Sequence, residues 1–347
     1  MKIAIVGAFH GTHVGGSLAR AAEALGYETL RFDTAGAWRG PRALTALRWR
    51  VDDRKPLRLA RFSRSVVDSC RAERPDVLIA TGAAALTADA VRDVRALGAR
   101  CLNYSTDDPW NPAARAEWYL CALPAYDAVC TTRRANLEDF RRLGCRTVRY
   151  LPFAYDEVLF APVTNSNTTA SHDVLFVGGG DPDRVTFMSE FMRDGTAVAL
   201  VGGNWDRYPA TRQHALGLKG PDELRTLTAA AKVNLCLIRR ANRDGHVMRS
   251  FEIAALGGCM LAEDTAEHRE IFGPDAECVI YFRSAAEAAA HARALLVDTR
   301  EQERLRAAVR ARMVGGGHTY RDRLRSMLDA VALAGCSEPG LAKAPAS

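Results

Sequence analysis

Lysine is scarce in this chain, at 5 of 347 residues against 42 arginines. Long apolar runs are missing as well. No stretch approaches the roughly 18 consecutive apolar residues of a membrane-spanning helix. The opening MKIAIVGAFHG is too short and glycine-rich for a signal peptide. A cytoplasmic protein with at most peripheral membrane contact is expected. The nine cysteines are odd in number and scattered, with no C-x-x-C pair, which excludes a disulfide framework or a zinc ribbon. Cys101, Cys236 and Cys259 sit in apolar runs and read as buried thiols of a reducing compartment. No G-x-G-x-x-G fingerprint is present, which weighs against a nicotinamide-dependent reductase.

What is there is ordinary in bulk: 48% hydrophobic and 25% charged residues place the chain among soluble globular proteins. At about 100–200 residues per domain its length suggests two domains. The net charge of +6 raises nucleic acid as a partner. However, clusters such as RRANLEDFRR and REQERLRAAVRAR interleave the arginines with acids, as solvated helix faces do. Nucleic-acid binding is not expected; a small anionic ligand is the stronger reading.

Short apolar runs alternate with amphipathic stretches from the first residue, the rhythm of strand–helix units and a parallel sheet. Strands are expected at 2–7, 27–33, 74–82, 99–105, 126–132 and 146–154, with helices near 58–73 and 85–97. The rhythm breaks in PVTNSNTTASHD, where no apolar period survives, and restarts at 173 with DVLFVGGG. The expected organisation is an amino-terminal Rossmann-like domain at 1–160, a connector at 161–172 and a second Rossmann-like domain at 173–317. A helix at 318–334 packing back on the first domain and a tail at 335–347 complete it. Ligands of such sheets lie at the carboxyl ends of strands, so chemistry is expected in the loops there, facing the cleft between the domains.

Four loops qualify. GAFHGTHVGGS offers Gly7, Gly11, Gly15 and Gly16 before the first helix, with His10 and His13 able to meet a substrate; unengaged loop histidines are an equal alternative. Asp33 ends the second strand and reads as a turn residue more readily than as a ribose ligand. In STDDPWNP, prolines restrain Asp107 and Asp108, one of which would orient or deprotonate an acceptor hydroxyl unless both serve an acidic turn. VGGGDPDR supplies Gly178, Gly179 and Gly180, and Arg184 would add a cation for a pyrophosphate; a plain tight turn is the competing reading.

The fourth loop, within RANRDGHVMRSFEIAALGGCMLAED, holds Asp244 and Glu252 with seven residues between them. On one helix that offset leaves the two acids about 80° apart. Both reach one ligand only if Asp244 lies on the loop and Glu252 in the first turns of the helix. The amino terminus between them would aim N–H groups at phosphate. A sugar nucleotide fits: Glu252 accepting ribose hydroxyls, Asp244 those of the sugar, and the backbone of Gly245, His246, Val247 and Met248 taking the diphosphate with Arg249 and Ser250. A capping and macrodipole role for both acids is the alternative.

The run DGHVMRSFEIAALGGCMLAEDTAEHREIFG, with ECVIYF and GGGHTYRDRL after it, resembles the carboxyl-terminal half of CgeB-like (spore-maturation-protein-like) glycosyltransferases. These are relatives of the retaining group 1 or family 4 enzymes with a GT-B fold. The resemblance covers most of 173–325 and rests in the first half on STDDPWNP and LPFAYDEVLF. It implies an α/β GT-B protein of two Rossmann-like domains facing across a cleft. It further implies a nucleotide-diphosphate sugar held by the second domain, an acceptor of unknown kind held by the first, and a retaining hexosyl transfer without cofactor. Glu252 matches the ribose-binding position, whereas Asp244 stands where the family carries Glu. Trp205, Lys219 and Gly220 would border the base, the indole either stacking on it or, equally, packing beneath the sheet. No metal is expected, Asp107-Asp108 lying in the acceptor half and the second half being read as free of a metal-binding D-x-D pair. A nucleotide-sugar epimerase or hydrolase, and a non-catalytic nucleotide-sugar-binding protein, remain as alternatives.

Overall fold

The computed structural model describes residues 1–162 and 172–336. Most of the expected connector and nearly all of the expected tail lie outside the described residues. The chain forms two compact units, Met1–Pro152 with the chain from Arg321 onward, and Phe153–Tyr320.

The sheet of the first unit is built from β1 (Lys2–Gly7), β2 (Glu28–Asp33), β3 (Val77–Thr81), β4 (Arg100–Ser105), β5 (Ala128–Thr131) and β6 (Val148–Tyr150). All are parallel, in the order β2-β1-β3-β4-β5-β6. Parallel strands covered on both faces read as unbroken apolar runs, and Ile3, Ala4, Ile5 and Val6 of β1 are fully buried. The strand order reverses between β1 and β3, so the loop after β1 lies at the switch point of this sheet.

The second sheet contains β7 (Val174–Val177), β8 (Val198–Val201), β9 (Ala215–Gly217), β10 (Val233–Cys236), β11 (Met260–Glu263) and β12 (Ile280–Phe282), in the order β12-β11-β10-β7-β8-β9. Counted from β7 this is the 3-2-1-4-5-6 order of a dinucleotide-binding sheet. Its switch point falls between β7 and β10, whose following loops carry Gly178–Gly180 and Asp244. Val174, Phe176, Val233, Leu235, Leu261 and Trp205 form its core.

Several expectations shift. The division falls at Pro152/Phe153 rather than after residue 160, because Phe153 and Tyr155 are buried and bonded within the second unit. Polarity marks where a connector is solvated, not where contacts change partner. The helix Tyr320–Cys336 from Arg321 on belongs to the first unit, where Arg323 Nε and Tyr104 Oη both donate to the carbonyl of Pro152 at 2.8 and 3.0 Å. The strand expected at 146–154 keeps only Val148–Tyr150, since Pro152 has no N–H to extend a ladder. Helices Ala35–Trp38, Arg42–Val51 and Glu117–Ala122 occupy stretches where no element was expected. Among the described cysteines, Cys121 is exposed, and the other seven are buried free thiols.

Candidate active site

Glycine loops from two strands meet at the carboxyl end of the second sheet. Gly180 N donates to Gly203 O at 2.9 Å, and Gly178 N to Val201 O at 2.8 Å. Gly202 has φ +139°, and a Cβ there would stand 2.2 Å from the Gly178 carbonyl oxygen, so only glycine allows the two chains to approach. Trp205 is the floor of this loop. It is fully buried, donates from Nε1 to Gly178 O at 2.7 Å and meets Phe176 edge-on at 5.7 Å. Of the two roles open to it, stacking on a base or packing beneath the sheet, Trp205 takes the second: the indole is enclosed beneath the loop and offers no free face.

Arg184 also turns inward. Its amide N–H is capped by Asp181 Oδ1 at 3.0 Å, while the guanidinium donates to the carbonyls of Gly179 at 3.2 Å and Leu237 at 3.4 Å and lies over the Phe176 ring. Burial draws its pKa below the usual arginine value. The charge expected to meet pyrophosphate instead ties together the two loops of the switch point. Asp181-Pro182-Asp183 does spell a D-x-D after β7, contrary to the sequence reading, but Asp181 is consumed as the cap of helix Pro182–Phe191. Among the described residues no group of three or more His, Cys, Asp and Glu side chains could hold a metal ion. Arg239, which sequence reasoning passed over, keeps a partly exposed guanidinium near Gly179 and Asp181. Its signal was its place just after β10.

The loop after β10 folds through a tight turn in which Arg239 N donates to Asp244 Oδ2 at 3.2 Å and Arg243 adopts φ +50°. Asp244 is thereby fixed at the mouth of the helix Met248–Ala255. Gly245 is pressed against the next loop: a Cβ would lie 2.4 Å from Glu267 Cδ, and its carbonyl accepts from Thr265 Oγ1. His246 is buried; its Nδ1 lies 2.6 Å from Glu267 Oε2, and its Nε2 accepts the backbone N–H of Phe153 at 3.1 Å. Only the Nδ1–H tautomer satisfies both partners.

Ser250 is equally enclosed. His268 Nδ1 must donate to the carbonyl of Glu263 at 2.8 Å, so its Nε2 accepts from Ser250 Oγ at 2.8 Å. Ser250 in turn receives Val247 N at 3.3 Å and lies 3.3 Å from Cys236 Sγ. Burial drives the His268 pKa down to about 4. Of the residues expected to hold the donor, His246 and Ser250 thus have their side chains engaged by protein partners. Glu267 and His268, their partners, were not foreseen.

Val247, Met248 and Arg249 open the helix, whose first N–H groups lack intrahelical partners. Arg249 is ion-paired with Glu252 one turn on, and the Glu252 side chain is 3% exposed. Glu252 Oε2 is buried and faces the Arg249 guanidinium. Burial, opposed by Arg249 and assisted by Asp156, pushes the Glu252 pKa up to about 7. Lys219 and Gly220 stand apart, beyond β9 at the sheet edge, where Lys219 pairs with Glu223 and Glu223 accepts Gly220 N at the start of helix Pro221–Ala230.

In the first unit, His10 and His13 approach with ring centroids 4.3 Å apart at the carboxyl end of β1. Burial chiefly, then His10, lowers the His13 pKa, with Asp33 and Asp107 opposing, so Asp107 belongs to the same neighbourhood. Asp108 does not: it is buried, and its Oδ1 accepts from Trp110 N and Asn136 Nδ2. Asp33 caps a turn through Ala35 N. Gly15 lets the first helix press on the loop after β1, a Cβ there falling 2.6 Å from Ala8 O. Gly11 takes φ +57° at the exposed loop tip. A surface hollow of about 560 Å³ is lined by Ala8, His10, Thr34, Ala35, Trp38 and neighbours.

Residues 184–329, less than half of the chain, match the family model described as glycosyl transferase-like. A comparison with curated proteins gives no match. Among solved structures, sucrose-phosphate synthase from Thermosynechococcus elongatus superposes with TM-score 0.68 at 15% identity, covering 97% of this chain and 100% of the other. Anabaena Alr3699/HepE in complex with UDP-glucose gives 0.63 at 12%, with 96% and 100% covered. A putative UDP-N-acetylglucosamine 2-epimerase from Listeria monocytogenes gives 0.55 at 11%, with 97% of each covered. The fold is α/β of the GT-B type, and residues 184–329, most of the second unit and the start of the last helix, match a glycosyl transferase-like family model.

Proposed function

We propose that the chain is a glycosyltransferase that moves a sugar from a nucleotide-diphosphate sugar to an acceptor hydroxyl, with retention, without a metal, and of the CgeB-like kind. One observation carries the reading. At the switch point of the second sheet, a helix amino terminus, Asp244 and a buried carboxylate, Glu252, held by the neighbouring Arg249 guanidinium, stand together. The GT-B likeness and the matched segment support it.

The chemistry asked of these residues is charge stabilisation. The bond from the anomeric carbon to the diphosphate breaks, the bond to the acceptor oxygen forms, and the acceptor proton passes to the departing phosphate. The helix terminus and Arg249 stabilise the charge left on that group. In the structure Arg249 covers Glu252. Donor entry would draw the guanidinium to the diphosphate and free the carboxylate for the two ribose hydroxyls, so that Arg249 guards the site it later serves. Asp244 would accept hydroxyls of the transferred sugar, and His10, His13 and Asp107 would face the acceptor.

Titration calorimetry with UDP and UDP-glucose, followed by transfer assays, tests the reading. Glu252→Ala should lose donor affinity, and Asp244→Ala should lose turnover more than affinity. Wild-type behaviour of both variants refutes the site. The likeness to the epimerase keeps a second reading open, and product formation from donor alone would favour it.

A further inference from the structure

Between β2 and β3, Thr34, Ala35, Trp38, Arg39 and Gly40 line the hollow beside His10, whereas the helix that follows has no part in the site described above. Residues 39–64 contain nine Lys and Arg against two acids, and both acids are engaged: Asp52 pairs with Arg48 at 3.2 Å and Asp53 accepts Trp118 N at 3.1 Å. The helix Arg42–Val51 lies in this segment. Leu44, Leu47, Trp49 and Val51 are 42, 55, 46 and 71% exposed, a concentration of bare apolar side chains on one short element.

Their placement is ordered. At about 100° per residue, Leu44, Leu47 and Val51 fall within about 60° of one another, and Arg48 and Arg50 flank that stripe on either side. Trp49 leans on Trp38 at 5.6 Å, which anchors the helix without covering it. Gly40 holds the entry to the helix, since a Cβ there would strike Leu57 Cδ2 at 2.2 Å. Arg50, Lys55, Arg58, Arg61 and Arg64 are exposed around it.

We propose that this face docks on an anionic phospholipid surface, the apolar stripe entering the headgroup boundary while the flanking arginines meet lipid phosphates. An aromatic and aliphatic stripe bordered by cations is the pattern of interfacial helices, and arginine stems lie along apolar surface while their heads reach phosphate. A second copy of the chain would bring the same cations against themselves. The inference does not depend on the proposed activity.

Co-sedimentation of the full chain with phosphatidylcholine vesicles, with and without phosphatidylglycerol, tests it. Binding is expected only to the anionic vesicles and is expected to weaken with salt. Arg50→Ala should lower the partition about fivefold, since each basic residue near such a surface contributes about 1 kcal/mol. Leu47→Glu and Val51→Glu should abolish it while circular dichroism stays unchanged. Vesicles should shift tryptophan emission to the blue in the wild type but not in Trp49→Phe. Absence of binding to anionic vesicles, or binding retained by Leu47→Glu, overturns the proposal. So does a dimer in sedimentation velocity that Leu47→Glu dissociates, which would assign the face to a second copy.

Discussion

His246 donates from Nδ1 to Glu267 across 2.6 Å and, for that reason, presents Nε2 to the backbone N–H of Phe153. One imidazole thereby joins the loop after β10, the helix after β11 and the residue at which the chain enters the second unit. His246→Ala removes a bond to a buried carboxylate and one to a buried N–H, and should cost about 3 kcal/mol in urea unfolding of that unit. Glu267→Gln, which can still accept, should cost about 1 kcal/mol. Equal losses in the two variants would show that the tautomer does not matter.

The Arg249–Glu252 pair gives the proposed donor site a pH dependence. The carboxyl of Glu252 titrates near 7 rather than at the ordinary 4.5, so the folded state holds its proton where the unfolded state has lost it. Stability from this group is greatest at acid pH and falls as pH rises from about 4.5 through about 7. UDP affinity should move oppositely, rising through about 7 as the carboxylate forms. Calorimetry across that range should lose the step in Glu252→Gln.

His268 works in the other direction. Its folded pKa of about 4 lies below the ordinary 6.5, so its contribution is present above 6.5 and is lost as pH falls toward 4. Thermal unfolding of His268→Gln should show a shallower decline over this acid range than the wild type. An unchanged slope would mean that the acid sensitivity arises elsewhere.

Trp205 lies beneath the glycine loop, so Trp205→Phe should lower stability by about 1 kcal/mol through the lost bond to Gly178. Nucleotide affinity in calorimetry should be retained, whereas a base-stacking indole would be missed at once.

Transfer activity, once an acceptor is found, should survive dialysis against a chelator. Loss of activity restored by a divalent ion would overturn the metal-free proposal and return attention to Asp183, the exposed acid of the Asp181-Pro182-Asp183 run.

The sequence is most legible where one residue's environment is decided by its neighbours in the chain. Strands β1, β7 and β10 announce themselves as unbroken apolar runs between turn signals. Asp244 lies on a loop and Glu252 in the helix, the arrangement their spacing requires if both are to reach one ligand. The edge strands were poorly legible, because Pro152 truncates β6 and Gly217 sits within three-residue β9. Least visible were pairings made across the fold: His246 with Glu267, Ser250 with His268, and Arg184 with the carbonyl of Leu237. Each side chain carries the polar chemistry of a ligand contact, and only the tertiary structure shows that the partner is protein.

The isolated bridge between Tyr155 and Thr319 has a consequence for biosynthesis. It sets side by side the two ends of the second unit, which is inserted between Pro152 and Arg321 of the first. A nascent chain that has emerged as far as Tyr320 holds every residue of the inserted unit while the enclosing one still lacks its last helix. The first unit can therefore close only by joining two stretches of chain across the whole inserted unit, whose own ends are already held together by that bridge.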